Sequence, residues 1–347
     1  MRAAMAAATP VTGEAERAML GVRFLGHERV AVQEFEDPVP GEGQVLVRIR
    51  ASALCGSELH AYRGDRALPF NPGHEPAGEV VDASRSKRWQ AGDRVGIHAV
   101  WGCGRCDWCA RGIYTFCDGR GGCPGAHAEL MAAPDHVCVP LPDDVPFDVG
   151  ALLAGDGLGV PYHTSRRLQT RGGNTVAVVG CGPIGLGSVL LQTFFGARVI
   201  ALDVRPERLE IARELGAALT LSATDPSTLE AVADATQGRL ADAVVEATGR
   251  PEGSALALKL VGKGGTVACN GENAEVSLHV GRDLIRRDIT LFGSWFYHYR
   301  EFPEMLELLR RGLRADQLIT ARYPLADAAN AFAAFAAGTT AKVVLEP

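Results

Sequence analysis

The stretch Thr175-Val-Ala-Val-Val-Gly180-Cys-Gly-Pro-Ile-Gly185 runs from an uninterrupted apolar segment directly into a glycine-rich turn. The apolar residues predict a buried strand, and the residues from about Ile184 to Phe195 predict the helix that follows it. A G-x-G-x-x-G turn between a strand and a helix favours a dinucleotide site. Gly180 would make the tight turn, Gly182 would let the backbone approach a pyrophosphate, and Gly185 would let the helix pack closely. The simpler alternative is a glycine turn that only packs a helix in a non-binding domain.

Strands and helices continue to alternate after this turn, which predicts an α/β fold with a doubly wound parallel sheet of the Rossmann type. The next strand, Arg198–Asp203, ends in a carboxylate. Asp203 can accept hydrogen bonds from the diol of an adenosine ribose and would repel a 2′-phosphate, so the pattern favours NAD. The further predicted elements are helices over 206–215 and 252–261 and strands over 243–246, 266–269 and 289–292.

The size and charge of the chain exclude several classes of protein. Its 347 residues are enough for two domains with separate cores. A net charge of −6 without a basic stripe argues against nucleic acid and against an anionic membrane surface as partners. No apolar stretch reaches the roughly 18 residues that span a bilayer. Nine cysteines, four of them clustered, suggest a reducing compartment, so we predict a cytoplasmic protein.

The N-terminal part of the chain changes character twice. Residues 1–18 are rich in alanine and lack the apolar core of a secretion signal, which predicts a disordered leader, with a transit peptide as the alternative. From about Gly21 to Leu141, short β-rich segments alternate with turns rich in proline and glycine. This pattern predicts a small barrel-like β domain with long loops.

Four cysteines, Cys103, Cys106, Cys109 and Cys117, lie close together in the β-rich part. Gaps of two residues let successive thiolates surround one ion, and four thiolates complete a closed tetrahedral zinc shell. A disulfide between cysteines three apart would be strained, and an iron–sulfur cluster requires a different spacing of the fourth cysteine. We therefore predict a structural zinc site that orders a loop.

A second group of potential ligands precedes these cysteines. The segment Cys55-Gly-Ser-Glu-Leu-His60 is followed by Gly73-His-Glu75. A cysteine, a histidine and a carboxylate form a sulfur, nitrogen and oxygen set that suits a catalytic zinc. Ser57 and His60 are close enough in sequence for a proton path from a hydroxyl to an imidazole. Each residue alone would be unremarkable, since a single cysteine or histidine is more often a packing or surface group.

In the order of these motifs the chain resembles the zinc-dependent medium-chain dehydrogenase/reductase superfamily of alcohol, polyol and threonine dehydrogenases. The resemblance extends over nearly the whole chain, from about Val22. The resemblance implies a GroES-like β-barrel catalytic domain formed by residues 19–162 and 298–347. It implies a Rossmann NAD-binding domain over residues 163–297, with a cleft between the two domains. It also implies one catalytic and one structural zinc ion per chain, and a homodimer or homotetramer.

The resemblance assigns roles to individual residues. Cys55 and His74 match catalytic zinc ligands. Glu75 matches an acid that ligates or approaches this zinc, and Asp156 matches the final protein ligand. Ser57 matches the hydroxyl that takes the substrate proton, and His60 matches the relay that passes it, through the cofactor ribose, to solvent. Positions that match contacts to the cofactor, including those that flank the nicotinamide, are Gly180, Gly182, Ile184, Gly185, Asp203, Arg208, Asn270, Gly271, Glu272, Ser294 and Trp295.

One position departs from the family pattern. Residue 58 is glutamate where the family usually has an aspartate that supports the zinc-ligating histidine. Glu58 is longer by one methylene group. It therefore either reaches the same histidine through a shifted backbone or moves the metal.

The resemblance implies the reversible, zinc- and NAD-dependent oxidation of an alcohol to a carbonyl compound. The run Gly293-Ser-Trp-Phe-Tyr-His-Tyr-Arg300 places aromatic rings beside hydrogen-bonding groups, which suits a polyol, sugar or cyclitol carrying a secondary alcohol. An amino alcohol resembling threonine is the second choice, and a simple aliphatic alcohol is the third. The run could instead pack a domain or subunit interface. A non-catalytic NAD(H) sensor and a zinc-free enone reductase are the alternatives that the intact ligand set disfavours.

Overall fold

The computed structural model describes residues 18–272 and 275–347. The predicted leader lies outside the described residues except for Ala18, which begins the first strand. The α-helices in the described ranges are α1 (Glu58–Arg63), α2 (Asp107–Ala110), α3 (Phe147–Ala154), α4 (Asp156–Leu168), α5 (Pro183–Phe194), α6 (Pro206–Glu214), α7 (Thr228–Ala235), α8 (Pro251–Leu260), α9 (Phe302–Arg310) and α10 (Ala328–Ala337), and short 3-10 and π-helical turns join some of the elements. The strands are β1 (Ala18–Gly26), β2 (Arg29–Glu36), β3 (Gln44–Ala53), β4 (Glu75–Asp82), β5 (Arg94–Ile97), β6 (Val100–Trp101), β7 (Gly121–Gly122), β8 (Leu130–Pro134), β9 (Cys138–Pro140), β10 (Thr175–Val179), β11 (Arg198–Asp203), β12 (Leu219–Ser222), β13 (Ala241–Glu246), β14 (Val261–Cys269), β15 (Thr290–Gly293), β16 (Ile319–Pro324) and β17 (Lys342–Glu346).

A parallel sheet forms one half of the molecule, as the sequence predicts. Its strands lie in the order β12-β11-β10-β13-β14-β15, which is the doubly wound Rossmann order. The order reverses between β10 and β13, so a crevice opens outside the carboxyl ends of these strands. The sequence analysis missed strand β12 and helix α7; β12 is a four-residue strand that is only partly buried.

Strand β10 is apolar along its length because both of its faces are covered. Val176 to Val179 are at most 1% exposed, and such a continuous apolar run is typical of a central parallel strand. Helix α5 follows with Pro183 in its first turn, where the missing backbone N–H costs no hydrogen bond. The strand, the turn and the start of the helix therefore form a rigid edge of the crevice.

A mainly antiparallel sheet forms the other half. Its strands lie in the order β16-β17-β3-β4-β5-β9, and β8 also pairs with β3. Strand β17 pairs antiparallel with β3, so the C-terminal end of the chain closes on the N-terminal half. This pairing places Lys342, at the start of β17, next to the strands that carry the candidate metal ligands.

Helices α3 and α4 are separated only by Gly155. A Cβ atom on Gly155 would lie 2.6 Å from Cβ and Cγ of Glu75, so only glycine leaves room for this side chain. The break places the start of α4 against the start of β4. Helix α4 runs through the predicted domain boundary between residues 162 and 163, and the domain limits stay a prediction. None of the described helices combines the length and hydrophobicity needed to cross a membrane.

Candidate active site

Four potential metal ligands meet where the loop after β3, the start of β4 and the start of α4 come together. They are Cys55, His74, Glu75 and Asp156, and their ligand atoms all lie within 4.8 Å of one another. Oδ2 of Asp156 lies 2.9 Å from Sγ of Cys55 and 3.0 Å from Nε2 of His74. A sulfur, a nitrogen and an oxygen directed at a common point form the donor set of a catalytic zinc site.

The protonation of this cluster fits a site for a divalent cation. Burial and the neighbouring Asp156 raise the pKa of Cys55 to about 12. Burial alone would lower the pKa of His74, but its polar contacts with Asp156, Cys55 and Glu58 raise it well above its usual value. The thiol, the imidazole and the carboxylate thus share protons that a bound metal would displace. The donors present fit zinc.

Glu75 already has partners of its own. Its Oε1 pairs with the ammonium of Lys342, and its Oε2 accepts a hydrogen bond from the backbone N–H of Gly157 at 3.1 Å. Both side chains of the pair are buried, at 0% exposure for Glu75 and 1% for Lys342. Burial raises the pKa of Glu75, and the ammonium of Lys342 opposes this shift. Because the ion pair occupies Glu75, the geometry favours Asp156 as the metal ligand.

Lys342 belongs to the buried polar cluster beside these ligands, and the sequence analysis missed it. Its ammonium also donates to the carbonyl oxygen of Leu54, next to Cys55, at 3.0 Å. Burial alone would lower the pKa of Lys342, but Glu75, Cys55 and Asp156 raise it, so the side chain remains charged. The available signal was a single lysine at the start of the apolar segment Val343–Leu345.

Glu58 supports His74 from the side opposite the metal ligands. Its Oε1 lies 3.2 Å from Nδ1 of His74, in a contact too poorly aligned for a full hydrogen bond. Its Oε2 accepts from Nε2 of His127 at 3.1 Å. Burial alone would raise the pKa of Glu58, but His127 and His74 outweigh it and hold this pKa well below its usual range. The longer glutamate thus reaches the histidine that the family's aspartate usually supports.

Ser57 and His60 occupy the exposed side of the same segment. Ser57 precedes α1 and lines the cavity next to the metal ligands, and His60 lies exposed within α1. No hydrogen bond joins their side chains in the part of the chain that the structure describes. The relay between them therefore stays a prediction.

A cavity of about 730 Å³ opens above His74 and Asp156. Its charged or hydroxyl-bearing lining residues, which also include Ser57 and Glu58, lie at the end that carries the metal ligands. The larger apolar lining residues are Phe24, Leu68, Phe70, Pro72, Val100, Pro124, Trp295 and Phe296. The cavity therefore offers polar chemistry at one end and an apolar wall elsewhere.

The aromatic run after β15 contributes less to this cavity than the sequence analysis predicted. Only Trp295 and Phe296 line it. The hydroxyl of Tyr297 donates to the carbonyl of Ala154 at 2.8 Å, and the hydroxyl of Tyr299 donates to the carbonyl of Cys138 at 2.9 Å. His298 is 2.9 Å from the Thr115 hydroxyl. The two tyrosine hydroxyls thus bond to backbone of other elements, whereas His298 also lines a second, larger cavity.

The glycine-rich turn has the geometry that a dinucleotide site requires. Gly180 has a φ of +91°, and a Cβ there would lie 2.7 Å from Cγ2 of Thr248. A Cβ on Gly182 would meet nothing within 4 Å, which leaves the backbone open to a ligand. A Cβ on Gly185 would overlap the carbonyl oxygen of Gly180, so the helix packs directly on the turn. Ile184 lies half-buried beside it.

Asp203 lies at the end of β11 next to this turn. It is 4% exposed, and its carboxylate accepts hydrogen bonds from the backbone N–H groups of Cys181 at 2.7 Å and Arg205 at 2.9 Å. Arg208 lies 3.6 Å from Asp203 and donates to the carbonyl of Gly338 at 2.9 Å. The carboxylate is fixed at the carboxyl edge of the sheet, where an adenosine ribose would lie.

The segments predicted to flank the nicotinamide are held together by α4. The side chain of Asn270 donates to the carbonyl of Ser294 at 2.8 Å and to the Thr164 hydroxyl at 2.9 Å. Thr164 was not singled out from the sequence. Gly271, Glu272 and Trp295 line a second cavity of about 1250 Å³. Of the five predicted positions here, only Trp295 also lines the cavity beside the metal ligands.

The four-cysteine segment forms a second metal cluster. The sulfur atoms of Cys103, Cys106, Cys109 and Cys117 lie within 4.8 Å of one another, and all four cysteines are free. Backbone N–H groups near Cys103 lower the pKa of its thiol to about 6. A closed set of four sulfur donors fits a structural zinc.

Comparisons with known proteins agree with this geometry. The family profile of the alcohol dehydrogenase GroES-like domain matches residues 41–143, and that of the zinc-binding dehydrogenases matches residues 183–311. An uncharacterized zinc-type alcohol dehydrogenase-like protein, YphC, of Escherichia coli K12 is 32% identical over 95% of this chain and 99% of its own length. An L-threonine 3-dehydrogenase of Symbiobacterium thermophilum is 31% identical over 91% of this chain and 94% of its own. A sorbitol dehydrogenase of Bacillus subtilis is 30% identical over 83% and 86%, respectively.

Solved structures give the same result. The alcohol dehydrogenase TADH from Thermus sp. ATN1 superposes with a TM-score of 0.87 at 28% identity, over 94% of this chain and 99% of its own. The agreement extends over the parallel sheet and the antiparallel sheet together. The predicted combination of a Rossmann domain with a GroES-like domain is therefore confirmed.

Proposed function

Because the chain belongs to the zinc-dependent medium-chain dehydrogenase/reductase superfamily, we propose that its site oxidises a secondary alcohol to a ketone, reversibly, with NAD as the acceptor. The protein is a zinc- and NAD-dependent oxidoreductase of the alcohol dehydrogenase type. The observation that supports the proposal is the convergence of Cys55, His74 and Asp156 at the polar end of an otherwise apolar cavity.

The residues of this chain divide the work in the proposed reaction. Cys55, His74 and Asp156 would hold the zinc. When bound, zinc lowers the pKa of a substrate hydroxyl as a Lewis acid, and NAD accepts the hydride. Ser57 stands on the cavity wall, where its hydroxyl can take the proton of the substrate hydroxyl. His60 is exposed to solvent and can pass that proton to water.

The cavity wall favours a substrate whose carbon body is mostly apolar. Phe70, Trp295 and Phe296 line it with apolar surface. Hydroxyl groups of a polyol that point at this wall would lose hydrogen bonds to water without replacement, at a cost of about 1–3 kcal/mol each. Each buried methylene group of an aliphatic substrate would instead contribute about 0.8 kcal/mol.

Two other substrate classes compete with this assignment. The polyol predicted from the sequence is supported by the similarity to a sorbitol dehydrogenase. An amino alcohol is supported by the similarity to an L-threonine 3-dehydrogenase. Against the amino alcohol, the cavity lining includes no lysine or arginine among the described residues to pair with a carboxylate.

A substrate panel tests the proposal. We expect kcat/KM for NAD reduction to rise about fourfold for each added methylene from 2-butanol to 2-octanol until the cavity is filled. Sorbitol, myo-inositol and L-threonine serve as the competing classes, and His74→Ala serves as the inactive control. A clear preference for sorbitol or inositol would replace the apolar assignment with the polyol, and an inactive panel with full zinc would count against the dehydrogenase proposal.

We also propose a cytoplasmic homodimer or homotetramer. The expectation rests on the family resemblance and on the cysteine content of the chain. Light scattering of the purified protein, with zinc and NAD present, distinguishes these two assemblies from a monomer. A monomer at micromolar concentration would contradict the expectation.

A further inference from the structure

His127 is buried behind the proposed catalytic metal site without touching the metal ligands' donor atoms. Its side chain is 0% exposed. Nε2 lies 3.1 Å from Oε2 of Glu58, and Nδ1 lies 2.8 Å from the hydroxyl of Ser52. The Ser52 hydroxyl can donate to Nδ1, which leaves the proton on Nε2 and directs it at Glu58. Both ring nitrogens are therefore used.

The backbone of the loop that carries His127 is also fixed. The Asn71 amide donates to the His127 carbonyl at 2.6 Å, and Asn71 Oδ1 accepts from the His127 N–H at 3.0 Å. The imidazole lies directly against Gly73, where a Cβ atom would come within 2.7 Å of the ring. Gly73 precedes His74, so the ring contacts the segment that carries this ligand as well as Glu58.

Glu58 has one carboxylate oxygen for each of two histidines. Oε1 faces Nδ1 of His74 at 3.2 Å, and Oε2 faces Nε2 of His127. Oε1 has no well-aligned donor among the described residues, although it is buried. A His74 ring turned to bind metal through Nε2 would aim its Nδ1–H at this atom. An aspartate at position 58 is one methylene shorter, so its carboxylate would lie farther from the two rings.

We propose that His127 is a positioning residue of the metal site, which fixes the carboxylate of Glu58 so that it orients His74 towards the metal. The proposal rests on the function proposed above, because it requires that His74 bind zinc. It explains why residue 58 is a glutamate: the longer side chain and the buried histidine form one unit. The effects of substituting His127 and Glu58 on zinc affinity should therefore be coupled.

A double-mutant cycle tests this coupling. We expect His127→Phe and Glu58→Asp each to weaken catalytic-zinc affinity by about 10–100-fold, the usual effect of losing the partner of a metal-ligating histidine. In the double variant the aspartate serves His74 alone and the phenyl ring fills the space. The double variant should therefore lose less affinity than either single variant. His127→Gln keeps an N–H donor and should retain most of the affinity.

The readout is zinc affinity, measured by competition with a chromogenic chelator, together with the absorption spectrum of the cobalt-substituted protein. Tyr162→Phe is the control, because it removes another hydrogen bond of a buried side chain, in which Oη of Tyr162 lies 2.5 Å from Oε2 of Glu304, and Tyr162 belongs to none of the groups of potential metal ligands in the described structure. It should lower stability and leave zinc affinity and the cobalt spectrum unchanged.

The outcomes separate this inference from the proposed function. If His74→Ala keeps both zinc ions, the proposed metal site itself is wrong. If His74→Ala loses one zinc but the two single variants keep wild-type affinity, or their effects are additive in the double variant, only the role of His127 is overturned. If His127→Phe fails to fold, Glu58→Asp compared with wild type, and His127→Gln with its cobalt spectrum, still decide the question.

Discussion

Replacing Lys342 with methionine tests the charge balance of the proposed metal site. The substitution keeps the length of the side chain and removes the only charge paired with Glu75 in the described structure. Glu75 would then be a buried carboxylate beside Asp156 and Cys55, with the backbone N–H of Gly157 as its remaining donor. We expect both the stability and the pH dependence of the enzyme to change.

The effect on stability follows from the burial of the pair. The two side chains are 0% and 1% exposed, so solvent cannot replace the lost ammonium. Removal of one partner of a buried ion pair costs roughly 3–5 kcal/mol, because the other charge is left without compensation. The loss is a large fraction of the 5–15 kcal/mol that is typical of folded proteins. Urea denaturation followed by circular dichroism should show a clear fall in the midpoint.

The effect on the pH profile follows from the distances. The ligand atoms of Glu75, Cys55, His74 and Asp156 lie within 4.8 Å of one another. Two unit charges at that distance interact with an energy of about 3.5 kcal/mol at an effective dielectric constant of about 20. This energy corresponds to about 2.5 pKa units, and the shift is smaller for a substrate hydroxyl that lies farther than 4.8 Å from Glu75. An unbalanced negative charge disfavours deprotonation of the substrate, so the alkaline rise of kcat/KM should move to higher pH by about 1–2 units.

The double variant Glu75→Gln/Lys342→Met is the control. It removes both charges at nearly constant volume, and replacing a buried pair by neutral groups is often close to neutral for stability. We expect it to recover most of the denaturation midpoint and the wild-type pH profile. A Lys342→Met variant with an unchanged midpoint and an unshifted profile would refute the charge-balance reasoning.

Four further predictions concern other parts of the molecule. Cys106→Ser should release one zinc and lower the melting temperature while NAD affinity is kept; a full zinc count would contradict the structural site. Asp203→Gly should narrow the preference for NAD over NADP in kcat/KM, and a wild-type preference for NADP would overturn the assignment. Ser57→Ala should lower kcat by about 10²–10⁴-fold and His60→Ala by less, because water can replace a relay to solvent; solvent isotope effects on kcat check this. Burial lowers the pKa of His98 to about 4, so between about pH 6.5 and pH 4 the unfolded chain binds a proton that the folded chain does not bind. The free energy of unfolding should therefore fall by roughly 3 kcal/mol from pH 7 to pH 4. His98→Gln should reduce this pH dependence in urea titrations.

The parts of the fold that the sequence predicted are those in which neighbouring residues decide the structure. The turn from Gly180 to Gly185 needs one left-handed glycine, one open backbone position and one close helix contact, all within six residues. The segment Cys103–Cys117 likewise brings its own four sulfur atoms together. In both cases the spacing along the chain sets the geometry in space.

The residues that the sequence analysis missed act across long separations. Lys342 is 267 positions from Glu75, and His127 is 69 positions from Glu58. The sequence around each residue does not indicate its partner. The contact of Lys342 exists only once β17 pairs with β3, and that of His127 only once the loop before β8 packs on the metal site. The packing partners of the aromatic run after β15 were missed for a related reason, although Trp295 and Phe296 do line the cavity beside the metal ligands. The hydroxyls of Tyr297 and Tyr299 donate hydrogen bonds to the backbone carbonyls of Ala154 and Cys138, which are far away in sequence.

The carboxylates around the metal site can be sorted by what already neutralises them. Glu75 pairs with Lys342, and Glu58 is shared between His127 and His74. Asp156 alone has the prospective ligands Cys55 and His74 as its side-chain hydrogen-bond partners in the described structure. One thiolate and one carboxylate balance the charge of a divalent cation, whereas a third anionic ligand would weaken its acidity. Electrostatics and geometry therefore favour the same set, Cys55, His74 and Asp156, with the fourth position left for the substrate oxygen.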